Sequence, residues 1–328
     1  MLDSKKRFFF FISRVLLTAI GLAAFACSSD ESSEPPGVQL SSLSLFPDQL
    51  VMAVDDGFYL DVIAEDKAGN VIPNFVPEYT SSNASILAIH PDGQLNAIAE
   101  GTVTVTASAG GQTAKATVYV GAKTYDLSTL GPPRVLNANY IDLSKIDQVS
   151  RFRSTVGHSY VDGSGETCRS MKHYFKPYYP DIDWTTVDIY APMSGTILAI
   201  SPDGGRGYKV MLRPRDLPAM NVQIFHVNLD AGITKNGWLN AGDHIGRHAS
   251  NETTSDIAVD IGGKENGTLL SYFETMTDEV FEQYQARGVS SRQAAIISKA
   301  ERDADPVPCV GEQQFTVHGT TPDWLVLN

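Results

Sequence analysis

Cysteine is scarce in this chain, with three in 328 residues. None lies in a CxxC pair, which argues against a thiolate metal site. Basic residues are also few: 25 Lys and Arg stand against 38 Asp and Glu, a net charge of −13. Such an acidic chain will not hold nucleic acid or anionic lipid by charge, and divalent cations or neutral glycans suit it better. Between Val38 and Val120 no helix of useful length fits. The one long apolar run, Phe8 to Phe25, is barely long enough to cross a bilayer and is interrupted by Arg14, which disfavours a retained membrane helix.

That run has another reading. Lys5, Lys6 and Arg7 precede it, and it ends in Ala24-Phe25-Ala26-Cys27, giving the basic, apolar and small-residue regions of a secretory signal. A Cys directly after the small residue resembles a bacterial lipobox, although Ala24 and Phe25 are not its favoured residues. The resemblance implies a lipid on Cys27, with release of a soluble chain as the alternative. It places residues 28 onward outside the cytoplasm, on an outer membrane or cell surface. Residues 27–37, ending in the polar run Ser28 to Pro36, form the tether. Removing residues 1–26 takes away a net +3, so the exported chain carries −16. With Cys27 lipidated, Cys168 and Cys309 remain as an even pair in an oxidising compartment, and a disulfide between them is expected.

The exported length suggests two domains, and the expected fold class is mainly β. From residue 38 to 121 short alternating runs such as Phe58, Leu60 and Val62 are broken by turns at Glu65 to Asn70, Pro91-Asp92-Gly93 and Gly110-Gly111. This predicts a β-sandwich of about seven strands. The series Tyr79-Thr80-Ser81-Ser82-Asn83, Asp92-Gly93-Gln94-Leu95-Asn96-Ala97 and Gly101-Thr102-Val103-Thr104-Val105-Thr106-Ala107 resembles the group 2 bacterial Ig-like domain, with Tyr79 where that family usually has Trp. The resemblance implies a surface stalk or adhesion module. Residues 122–135, with Gly131-Pro132-Pro133, read as a semi-rigid linker, so deleting residues 38–121 is expected to leave any activity of the second domain unchanged.

Residues 136–328 make the second domain. β-like segments run over Asp188–Ile200, Tyr208–Leu212, Val222–Val227 and Ser255–Ile261. Two helices are expected to close it. The first runs from about Thr277 to Arg287, with Met276, Val280, Phe281 and Tyr284 on one stripe and Gly288 at its end. The second starts at a capping box made by Ser290 and Gln293 and ends before Pro306.

Five of the seven histidines fall between His158 and His248. His158 and Asp162 lie four residues apart, and His226 is on a predicted strand. Imidazole and carboxylate ligands with an open position are what catalytic zinc requires. Asp188-Ile-Tyr-Ala-Pro-Met-Ser-Gly-Thr-Ile, Phe225-His226-Val227-Asn228-Leu229 and Leu239-Asn-Ala-Gly242-Asp-His-Ile-Gly246 resemble the lysostaphin-type (LytM-like) zinc endopeptidases of peptidoglycan. On that resemblance His158 and Asp162 match the HxxxD zinc pair, and His226 the residue that handles protons or stabilises the intermediate. Two departures stand out. An insertion holding Cys168 and His173 separates Asp162 from Ile189. Where the family has His-x-His, this chain has Asp256 and Ala258. His173 is the best candidate for a third zinc ligand, and Asp256 and Asp260, on one strand face, are candidates for ligand binding. The expectation is an envelope-binding domain with its peptidase centre partly lost, whose partner is peptidoglycan or an envelope glycan or protein. The alternatives are an active zinc endopeptidase and a purely structural surface or adhesion protein.

Overall fold

The computed structural model describes residues 39–178, 181–262, 267–310 and 314–328. The signal, Cys27 and the tether lie outside them. Among the described residues no helix is long and apolar enough to cross a membrane. The chain is mainly β, and its few short helices lie mostly near the C-terminus.

Residues 39–121 form nine strands. Gly101–Ala109 pairs along its whole length with Gln112–Gly121, which also runs parallel to Gln49–Ala53. The alternation in the sequence is the alternation in burial: Val103, Val105 and Ala107 are buried while the threonines between them are not. Leu87, Leu95 and Val118 complete an entirely apolar core. Residues 122–135 are less extended than a free linker. Leu127–Leu130 makes one helical turn capped by Asp126, and Tyr125, Leu127 and Val135 pack on the core of the second β region.

That region is built on a large antiparallel sheet. In spatial order its main path runs Trp238–Leu239, Gly195–Pro202, Tyr208–Pro214, Met220–Leu229, Ser255–Ile261, His173–Pro177, Ile146–Ser150 and Trp324–Val326. The Met220–Leu229 strand changes partners along its length. Residues 220–225 pair with Ser255–Ile261, whereas residues 227–229 pair with His244–His248. Ser255–Ile261 is buried along its entire length, so it is covered on both faces.

The helical extension covers one side of the sheet. Asp278–Gln285 buries Val280, Phe281 and Tyr284, as the stripe predicts, and Gly288 follows it with φ +93°. The second expected helix is divided. Ser291 caps a short 3-10 turn over Arg292–Ala295, the buried Ile296 and Ile297 follow it, and the capping box is made by Ser298 and Glu301 at the start of Lys299–Ala304. Burying two consecutive isoleucines requires extended backbone, and this overrides the Ser290 and Gln293 pattern. Cys168 and Cys309 are joined in a disulfide across 141 residues, as expected.

Candidate functional site

Strand register assembles the site. Tyr174 and Phe225 both lie opposite Asp256, one on each neighbouring strand. Side chains alternate between faces, so Lys172 shares its face with Tyr174 while His173 points to the other side. The Lys172 ammonium is thereby delivered over Asp256. The two form an ion pair in which both side chains are inaccessible, and the aromatic rings of Phe225, Tyr160 and Tyr174 surround the ammonium at 4.2, 4.9 and 5.0 Å. Burial alone would lower the affinity of Lys172 for its proton. The carboxylate of Asp256 outweighs burial and holds the lysine well above its ordinary value, so it stays charged.

His226 reaches the same carboxylate from another side, with Nε2 3.3 Å from Asp256 Oδ1, while Nδ1 lies 3.0 Å from Asp203 Oδ2. Its position follows from a β-bulge. Between the pairs Tyr208 with Val227 and Val210 with Ile224 the Met220–Leu229 strand carries one extra residue, and His226 has φ +60°. The conformation is held from both ends. Asp203 Oδ2 accepts the His226 backbone N–H at 3.2 Å, and the His226 carbonyl accepts the Ala249 N–H at 2.8 Å. Burial opposes protonation of this imidazole, but Asp203 and Asp256 outweigh it and raise its pKa. Asp203 is correspondingly lowered, the pairing with His226 overcoming its own burial. In the protonated state His226 has no lone pair with which to accept a further proton.

The three residues singled out as zinc ligands are not brought together. His158 Nδ1 lies 3.0 Å from the Ser159 carbonyl, which makes it the donor and leaves the Nε2 lone pair facing the Lys172 ammonium at 3.4 Å. Asp162 staples a loop to a strand: one oxygen accepts the Ser164 N–H at 2.9 Å and the other the Leu269 N–H at 2.7 Å. His173, on the opposite face of its strand, is fully buried with Nδ1 2.7 Å from the Ser150 carbonyl and Nε2 2.8 Å from the Ser271 hydroxyl. Burial lowers its pKa to about 4, so it is neutral. Among the described residues no three of His, Cys, Asp and Glu stand where they could hold a metal ion. The donor set therefore does not fit zinc, and no step is routed through one.

Of the two candidate ligand-binding carboxylates, Asp256 belongs to the centre. Asp260 is turned to the amides of Asn221 at 3.0 Å and Gln223 at 3.2 Å. Lys172 and Asp203 are the residues that sequence reasoning missed. A lysine inside the apolar run Met171 to Phe175 is the signal for the first, whereas Asp203 reads as an ordinary Asp-Gly-Gly turn.

No protein-family model matches the chain, and no curated protein matches it in sequence. Among solved structures it is similar to Csd3 of Helicobacter pylori, at 13% identity over 56% of this chain and 55% of that one, with a TM-score of 0.29. It is similar to a zinc-containing peptidase of Vibrio cholerae at 10% identity, over 67% and 78% of the two chains, with a TM-score of 0.33. It is also similar to domains 5–6 of the S-layer protein SbsC at 13% identity, over 63% and 98%, with a TM-score of 0.23. The chain spans about half the length of the first of these. Likenesses this low carry no inference about its chemistry, which rests on its own residues.

Proposed function

We propose that this chain is a lipid-anchored cell-envelope protein whose LytM-like second domain binds peptidoglycan or another envelope ligand without cleaving it. One observation carries the reading: His158, Asp162 and His173 face three different sets of partners instead of one ion. A hydrolytic zinc site uses three protein ligands and keeps a fourth position open for water. The Ig-like segment is read as the spacer that lifts this domain from the bilayer, and a lipid on Cys27 as its anchor.

The test uses the exported chain with purified sacculi. Co-sedimentation with no release of soluble muropeptides is the expected result. Stoichiometric zinc with muropeptide release, both lost on His158→Ala, would establish the peptidase instead. Failure to sediment with sacculi or other envelope glycans would remove the binding role.

A further inference from the structure

We infer that Lys172 is the resident cation of this centre, holding the place among Asp256, His158 and His226 that a divalent metal ion would otherwise take. The inference deepens the non-hydrolytic reading and rests on it. It says why the centre holds together: a side chain provides the positive charge.

Three observations converge. The ammonium is paired with the fully buried Asp256 carboxylate and also faces His158 Nε2 at 3.4 Å. The His158 tautomer, fixed by the Ser159 carbonyl, presents a lone pair to a cation and not a proton. His226 Nε2 stands 3.3 Å from the second oxygen of the same carboxylate. Two imidazoles and one carboxylate are a donor set that catalytic zinc uses elsewhere; here, with Lys172 in place, they do not stand where they could hold a metal ion, and the carboxylate and His158 face an ammonium instead. Ala258, two residues beyond Asp256 on the same strand face, has no donor atom to contribute.

Charge accounts for the rest. The Lys172 ammonium sets a fixed positive charge against the buried Asp256 carboxylate. A divalent ion entering beside Lys172 would meet like charge in a poorly screened interior. Truncating Lys172 removes that repulsion, leaves Asp256 without its ammonium partner, and opens space beside Asp256 and His158. His158 would then have to close from 3.4 Å to the roughly 2.1 Å of a zinc–imidazole bond.

The test measures zinc per chain after desalting, and thermal unfolding with and without zinc chloride, on the wild type, Lys172→Ala, Lys172→His and Lys172→Ala with Asp256→Asn. The wild type is expected to retain no zinc and to melt at the same temperature with or without it. Lys172→Ala is expected to take up one zinc per chain and to gain several degrees in Tm from it. Adding Asp256→Asn should abolish both effects. A wild type that retains one zinc, lost on Asp256→Asn, would overturn the inference, as would folded Lys172→Ala and Lys172→His proteins that take up none. If Lys172→Ala does not fold, Lys172→His decides alone, and failure of both to fold with zinc present counts against the inference. Loss of sacculus binding by the wild type would sink the proposed function and leave this result standing.

Discussion

Two strands of this molecule are buried in different ways. Gly101–Ala109 buries one face, and its sequence alternates valine and alanine with threonine and serine. Ser255–Ile261 is buried on both faces yet carries two aspartates. A strand covered on both sides is ordinarily a continuous apolar run. Where it is not, each charge needs a partner inside the protein, because an unpaired buried ion is far too costly to keep. The first strand serves as scaffold for an apolar core. In the second, Asp260 is answered by amides and Asp256 by the Lys172 ammonium and the His226 imidazole, and only the latter make a centre.

The largest effect that would break this comparison comes from Asp256→Ala. It leaves the Lys172 ammonium buried beneath three rings without its carboxylate and is expected to cost about 3–5 kcal/mol. Chemical denaturation measures it. Replacing both partners, with Lys172→Met and Asp256→Leu together, should restore most of the loss, because the cost lies in the orphaned charge and not in the missing pair. If Asp256→Ala proved neutral, the second strand would be no different in kind from the first.

Acid should separate the two regions next. His173 has a folded-state pKa of about 4 against an ordinary 6.5. A base that is harder to protonate when folded contributes stability that is intact above pH 6.5 and lost as the pH falls from there toward 4, by up to about 3 kcal/mol. His226 has the opposite sign. Its raised pKa gives stability that is full below the unfolded value and lost as the pH rises through the folded one. Unfolding curves of the wild type and His173→Gln between pH 7 and 4 isolate the first effect. The wild type should lose stability faster, and parallel curves would show that the imidazole does not titrate as its burial implies.

Much of this was legible in the sequence. The β class, the helix stripe of Val280, Phe281 and Tyr284, and the Cys168 to Cys309 pairing all follow from local periodicity or from counting. The centre was legible only in part. His226 and Asp256 could be singled out by residue type, but their partners come from register and from a bulge. His173 lies in the same inserted segment as Cys168, and a one-residue step along the strand turns it away from the site. Lys172 takes the inward place, and no local pattern shows which of two neighbours faces in. The divided second helix was missed for a related reason, since the burial of Ile296 and Ile297 is set by the sheet they pack on.

The smallest effect tests whether the two regions are independent at all. A stalk joined by a free linker would share no buried contacts with the domain it carries, and deleting residues 38–121 would then be harmless. In the structure the Val51 N–H donates at 2.9 Å to the Thr196 hydroxyl, with both residues buried to 1% exposure. Arg213 Nη1 pairs with Asp56 at 2.5 Å, and the rings of Tyr119 and Trp238 stack at 5.4 Å. Thr196 lies on Gly195–Pro202, within the large sheet, so its hydroxyl ties the scaffold region to the sheet that carries the centre. Thr196→Val keeps the shape and removes the acceptor. The orphaned N–H is expected to cost about 1–3 kcal/mol, read as a lower denaturation midpoint with unchanged slope. Because the contact joins the two regions, the transition should remain single in the wild type. In the variant a second, earlier transition would mark their uncoupling, whereas an unchanged midpoint would show that this contact does not couple the two regions.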